Sequence, residues 1–184
     1  KKRSEMKKIY VIGTVHDMLP KHKSELQSIL KKINPDQILV EIDREIKPNS
    51  SKIRKFPKEM IFAYRWAIKN NKKVDFFDTN KYGNQIKKSV TKKELKQAEK
   101  DIIAIFKGYD WKKENNPDPG DKDKYEKILN KFIDYKKLNA RRKFMLRIIQ
   151  KVSLKEGKIL ILTGAGHLSF FEKNIKEAIF PFRK

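Results

Sequence analysis

Cysteine is absent from the 184 residues, which excludes disulfides, thiolate nucleophiles and zinc sites that need sulfur ligands. Any metal would have to sit on nitrogen and oxygen. Also missing is an apolar run near the roughly 18 to 20 residues that a membrane helix needs, and Lys1-Lys2-Arg3 leads into a short strand-like stretch rather than a signal core. A soluble, cytoplasmic protein is the expectation. No Gly-rich phosphate loop, Gly-x-Ser-x-Gly elbow or His-Glu-x-x-His helix occurs, which removes the common nucleotide, serine-hydrolase and zincin readings. Acidic residues are in short supply, with 23 Asp and Glu against 46 Lys and Arg for a formal charge of +23. Such a balance attracts nucleic-acid phosphates or an anionic membrane. The lysines, however, are spread along the whole chain, and most aromatics fall on apolar faces rather than where bases would stack.

The chain does hold enough apolar material, 38% of residues, for one core, and residues 1–184 read as a single α/β domain. Lys8 to Gly13 is a short, partly β-branched apolar run ending in glycine, the pattern of a buried strand meeting a turn. Leu26, Ile29, Leu30 and Ile33 then recur at helical spacing, Asn34-Pro35-Asp36 makes a turn, and Gln37 to Ile42 reads as a second strand. Strand, helix and strand in this order form a βαβ unit with parallel strands. A helix opened by Pro57 and a strand Lys73 to Asp78 extend the alternation. Residues 81–155 are lysine-rich and helical in period, an antiparallel helical insertion broken by Asn115-Asn116-Pro117-Asp118-Pro119-Gly120. The stripe Tyr125, Ile128, Leu129, Phe132, Ile133 and Tyr135 on its second arm suits packing. The sheet resumes at Lys158 to Gly164, and a last amphipathic helix is expected from Leu168 to about Ile179.

In an open parallel sheet, ligands bind beyond the carboxyl ends of the strands. His16, Glu41, Asp78 and His167 all fall at or just past such ends. Two of the three histidines occupy matching turns, Gly13-Thr14-Val15-His16 and Gly164-Ala165-Gly166-His167. In each, glycine permits a tight exit from the strand. His22 has no such setting and reads as a surface histidine. Glu41 lies between Val40 and Ile42, and a carboxylate buried there needs a partner. Two imidazoles with one or two carboxylates form a nitrogen and oxygen set for Mn, Co or Zn, leaving a position for water. Without metal, His16 serves as general base and Glu41 orients it. Spacing does not separate these two. Arg44, Arg141, Arg142 and Arg147 are further candidates, with Arg141 or Arg142 placed to bring a guanidinium over the sheet edge toward a carboxylate or oxyanion.

At these residues the chain resembles the TraB, PrgY and GumN group, which includes the TIKI proteases and is distantly related to erythromycin esterase and ChaN-like proteins. The resemblance rests on Ile12-Gly13-Thr14-Val15-His16, the run from Pro35 to Asp43, the helix from Asn139 to Met145 and Thr163-Gly164-Ala165-Gly166-His167-Leu168, in matching order across nearly the full chain. It implies a split α/β core with a helical insertion, and a metal-dependent peptidase-like site around His16, His167 and Glu41. The functional expectation is a hydrolase of peptide or amide bonds. The alternatives are a non-catalytic module that sequesters a peptide or docks nucleic acid on its basic face, and a nuclease using the same site, disfavoured by the lack of clustered acids for two metals.

Overall fold

The structure, a computed structural model, describes residues 6–15, 21–48 and 50–183, with residues 21 and 22 described in backbone only. His16 and the side chain of His22 therefore lie outside the described residues. The first apolar run forms β1 (Lys8–Thr14), which sends Ile9 and Val11 to one face of the sheet and Ile12 to the other. Helix α1 (Lys21–Ile33) buries Leu26 and Leu30 and stops at Asn34, whose φ of 45° is a left-handed conformation that asparagine tolerates. Next come β2 (Gln37–Asp43), buried along its whole length, α2 (Lys58–Lys69), opened by Pro57, and β3 (Lys73–Asp78).

Residues 81–90 are not helical. They run beside the later helices, with an antiparallel bridge between Ile86 and Ile133 and bonds from Lys87 N to Phe132 O and Asp134 N to Gln85 O. The insertion's first helix, α3 (Lys92–Phe106), begins only where Thr91 and Glu94 form a reciprocal capping box. Then follow α4 (Trp111–Asn115), α5 (Pro119–Phe132), with proline at its first position, and α6 (Tyr135–Val152), capped by Asp134. The chain returns to the sheet as β4 (Lys158–Gly164), makes a 3-10 turn at Ala165–His167, and continues into α7 (Leu168–Asn174) and a two-residue strand β5 (Ala178–Ile179).

All five strands are parallel, in the order β3-β2-β4-β1-β5. The last long strand thus sits in the middle. The run Ile159-Leu160-Ile161-Leu162 is fully buried, as a strand covered on both faces must be, whereas β3 has Asp75 and Lys73 and lies at an edge. One face packs Leu26, Leu30, Met60, Ala63, Ala67 and Trp111, from α1, α2 and α4, over Ile12, Val40 and Leu162. The other packs Met145, Ile148, Ile149, Leu168 and Phe171, from α6 and α7, over Val11, Leu39 and Ile161. The expected α/β architecture with a mainly parallel sheet is what the chain adopts.

The C-terminal segment departs from the sequence reading. Helix α7 ends at Asn174, and the apolar residues Ile175, Ala178 and Ile179 do not prolong it. Their spacing of three and four suits a helix, but Ala178 and Ile179 instead pair with Ile9 and Tyr10. Backbone groups on the open side of β1 reward that pairing more than another half turn of helix.

Candidate functional site

Along α6, Leu138, Met145, Ile148 and Ile149 form the buried stripe that docks on the sheet. Arg141 and Arg142 fall within that stripe, three and four residues after Leu138, so the same spacing that packs the helix carries two guanidinium groups toward the strand ends. Their charges have to find partners there. Arg141 donates from Nε to Asp78 Oδ1 at 2.8 Å and from Nη2 to Asp78 Oδ2 at 2.5 Å, a bidentate contact. Nη2 also reaches Glu41 Oε1 at 3.1 Å, and Nη1 donates to Gln85 Oε1 at 3.0 Å. Burial by itself would push Arg141 down; the Asp78 bond and the charges of Asp78, Glu41 and Asp43 outweigh it and hold the guanidinium above its ordinary value.

Glu41 is 6% exposed and sits where the pairing of β2 with β3 slips between Val40 and Asp43, an irregularity that re-aims side chains. Its Oε2 accepts from Thr163 Oγ1 at 2.6 Å and from Gly164 N at 2.7 Å. Its Oε1 lies 3.3 Å from His167 Nε2. On the far side of the ring, Nδ1 accepts from Arg142 Nε at 3.2 Å. A guanidinium only donates, so Nδ1 carries the lone pair and Nε2 the hydrogen. Arg142 also donates from Nη2 to Gly166 O at 2.5 Å and has Phe170 beneath it, 5.9 Å from the ring centre. Burial pushes Arg142 below its ordinary value and neighbouring Arg141 adds to this, while Tyr135, Tyr125 and Glu41 oppose it.

A second polar cluster occupies the opposite face of the same sheet edge. There β1 has outrun its short neighbour β5, and the side chain of Asn115 takes the place of a strand. Its Oδ1 accepts from Gly13 N at 2.7 Å and its Nδ2 donates to Gly13 O at 2.8 Å. Beside it Thr14 Oγ1 donates to Glu59 Oε1 at 3.2 Å, and Val15 N donates to Glu114 Oε2 at 3.2 Å. Glu59 and Glu114 are both buried. Burial pushes Glu114 up to about 7; its bond to Val15 opposes this, and the charges of Glu59, Glu25 and Asp110 reinforce it.

Glu41, Asp78, Arg141 and His167 are therefore brought together. The two glycine turns are neighbours in register, Gly13 opposite Thr163 and Thr14 opposite Gly164. Neither depends on a left-handed backbone. Gly164 has φ −63°, and a Cβ on Gly13 would stand 2.6 Å from Leu168 Cδ1 and 2.8 Å from Ala165 Cα, so close approach of α7 is what that position demands. Arg44 is exposed and meets the cluster only through its backbone, its N donating to the carbonyl of Asp78, and Arg147 lies over Phe144. Sequence reasoning missed Glu59, Glu114, Asn115, Gln85 and Thr163. For Asn115 the sequence offered only a loop signal, since its partner Gly13 is distant in the chain.

Among the described residues no three His, Asp or Glu side chains are grouped to hold a metal ion. Of the set expected to bind Mn, Co or Zn, Asp78 spends both oxygens on Arg141, Glu41 accepts from Arg141, Thr163 and Gly164, and His167 uses both nitrogens. Arg141 stands between the two carboxylates, and His16, the remaining member of the expected set, lies outside the described residues.

Fold and site together define an open, parallel α/β protein with a charged cluster at the carboxyl edge of its sheet. No family model, curated protein or solved structure matches the chain. No helix among the described residues is long and apolar enough to cross a membrane.

Proposed function

We propose that the protein is a hydrolase of peptide or amide bonds, with His167 as general base and Glu41 as the group that orients it. The observation that carries this reading is the fixed imidazole. Its Nε2 lies 3.3 Å from a buried carboxylate, and its basic nitrogen, Nδ1, accepts from Arg142. Once Arg142 releases Nδ1, that nitrogen takes a proton from water as the water oxygen attacks the carbonyl carbon. Glu41 stabilises the imidazolium that forms. The proton then passes from Nδ1 to the leaving nitrogen as the C–N bond breaks, giving an acid and an amine. Arg141 holds Glu41 in place through the Asp78 bridge. The resemblance of both glycine turns to the TraB, PrgY and GumN group points to the same reaction class.

The test is product analysis by mass spectrometry after incubation with a mixed peptide library. We expect His167→Ala to abolish cleavage, Glu41→Gln to slow it about 100-fold or more, and chelator treatment to leave it unchanged. Absence of cleavage by the wild-type protein, or full activity in His167→Ala, sinks the hydrolase reading. Activity lost with chelator and restored by Mn, Co or Zn would replace the metal-free route with a metal-assisted one. A second reading, nucleic-acid docking, is favoured by the formal charge of +23. It requires that affinity for random DNA fall steeply with salt.

A further inference from the structure

Arg142 differs from Arg141 in one respect that matters for binding. Every ordered partner of Arg141 except Gln85 is a carboxylate, whereas every acceptor around Arg142 is neutral: His167 Nδ1 at 3.2 Å, Gly166 O at 2.5 Å and Asn139 Oδ1 at 3.5 Å. These use three of the five N–H groups of a guanidinium. Among the described residues no carboxylate lies within salt-bridge distance of it, although the group is partly buried. A desolvated cation whose partners are all neutral is an incomplete arrangement.

The surroundings supply what an anion would need. Tyr125, carried in by α5, has its Oη 3.4 Å from where a Cβ on Gly166 would stand. That hydroxyl makes no hydrogen bond to the described residues. Tyr135 opens the same helix seven residues before Arg142, favours the charged form of that guanidinium and is itself 37% exposed. Phe170 closes the bottom.

We infer that Arg142, with Tyr125 and Tyr135, forms a subsite for a carboxylate of the substrate, and that occupying it frees Nδ1 of His167. A carboxylate engages a guanidinium through two parallel N–H bonds, stronger than the 3.2 Å contact to a neutral imidazole. As Arg142 turns to the carboxylate, Nδ1 loses its donor and becomes available as the base. Substrates with a free carboxyl group close to the scissile bond, such as short peptides cut near their C-terminus, therefore supply their own trigger. This substrate class rests on the hydrolase reading, but the binding event does not.

Titration with N-acetyl-alanyl-alanine, its C-terminal amide and inorganic phosphate, followed by calorimetry and by the ring-nitrogen NMR signals of His167, tests the inference without requiring turnover. The acid should bind at least 10-fold more tightly than the amide and should shift the Nδ1 signal, whether or not it is cleaved. Arg142→Gln should abolish the discrimination. Arg142→Lys, which retains the charge and so the fold, should reduce it because an ammonium lacks the planar fork. Tyr125→Phe should weaken the acid alone by a few-fold. Equal binding of acid and amide, undiminished discrimination in Arg142→Lys and Arg142→Gln, or phosphate binding as tightly as the acid would each overturn the carboxylate subsite. Acid binding with the Nδ1 shift but no cleavage of any peptide would uphold the subsite and remove the hydrolase.

Discussion

On the α6 side of the sheet edge, the carboxylates of Glu41 and Asp78 meet a guanidinium bonded to both, and a second guanidinium flanks the adjoining imidazole. On the α2 and α4 side, Glu59 and Glu114 are buried close enough for one charge to raise the other group's proton affinity. Both clusters crown the same parallel sheet, yet they handle burial in opposite ways. The first pairs its acids with fixed cations, which hold them in place. The second tolerates an acid raised to about 7, and its carboxylates accept from the Thr14 hydroxyl at the end of β1 and from the backbone N–H of Val15 just past it. The contrast separates a cluster built for charge from one built to tie the insertion to the sheet.

The sharpest way to break this comparison is Arg141→Met. Removing the cation shared by Asp78 and Glu41 takes from Asp78 its bidentate partner in a buried setting, and a loss of about 3–5 kcal/mol in urea unfolding is expected. A loss under about 1 kcal/mol would show that the carboxylates are not held as a charge cluster. Next in size is Asn115→Ala, which strips the N–H and the carbonyl of Gly13 of a buried partner. About 2–3 kcal/mol should go, and the Gly13 amide should exchange with solvent faster; unaltered exchange would mean that α4 does not seal β1. The smallest effect is Glu114→Gln, and it depends on pH. Folding raises this acid from 4.5 to about 7, so its contribution to stability is fully present below about pH 4.5 and is lost as pH rises through 7. The variant should match the wild type near pH 4.5 and gain about 2 kcal/mol at pH 8, a figure reduced for partial solvent screening. Parallel stability curves for the two proteins across that range would remove the buried-acid interpretation.

Much of the first cluster was legible in the sequence, and little of the second. Glu41, Asp78 and His167 stand at or just past the ends of apolar runs, and the run tells both that a strand is present and where it stops. Arg141 could be placed because α6 keeps a regular apolar stripe. Glu59 and Glu114 lack such markers: Glu59 sits in the first turn of a helix and Glu114 among lysines and asparagines, and only the docking of α2 over β2 and β3 and of α4 against β1 buries them. The same holds for β5: Ile175, Ala178 and Ile179 keep helical spacing, yet the backbone of Ala178 and Ile179 pairs with Ile9 and Tyr10. Local pattern reports which face of an element is apolar. It is silent on which distant backbone will compete for the segment.

The amide of Asn115 has a consequence beyond holding α4 in place. Among the described residues no strand pairs with the outer side of β1 past Tyr10, and a bare edge of this kind is a template on which another chain can add a strand and begin to aggregate. Asn115 fills the two backbone positions at Gly13, and Arg183 Nε in turn holds the Asn115 carbonyl at 3.1 Å. One side chain thus stands in for a missing strand and keeps the sheet from recruiting a foreign one.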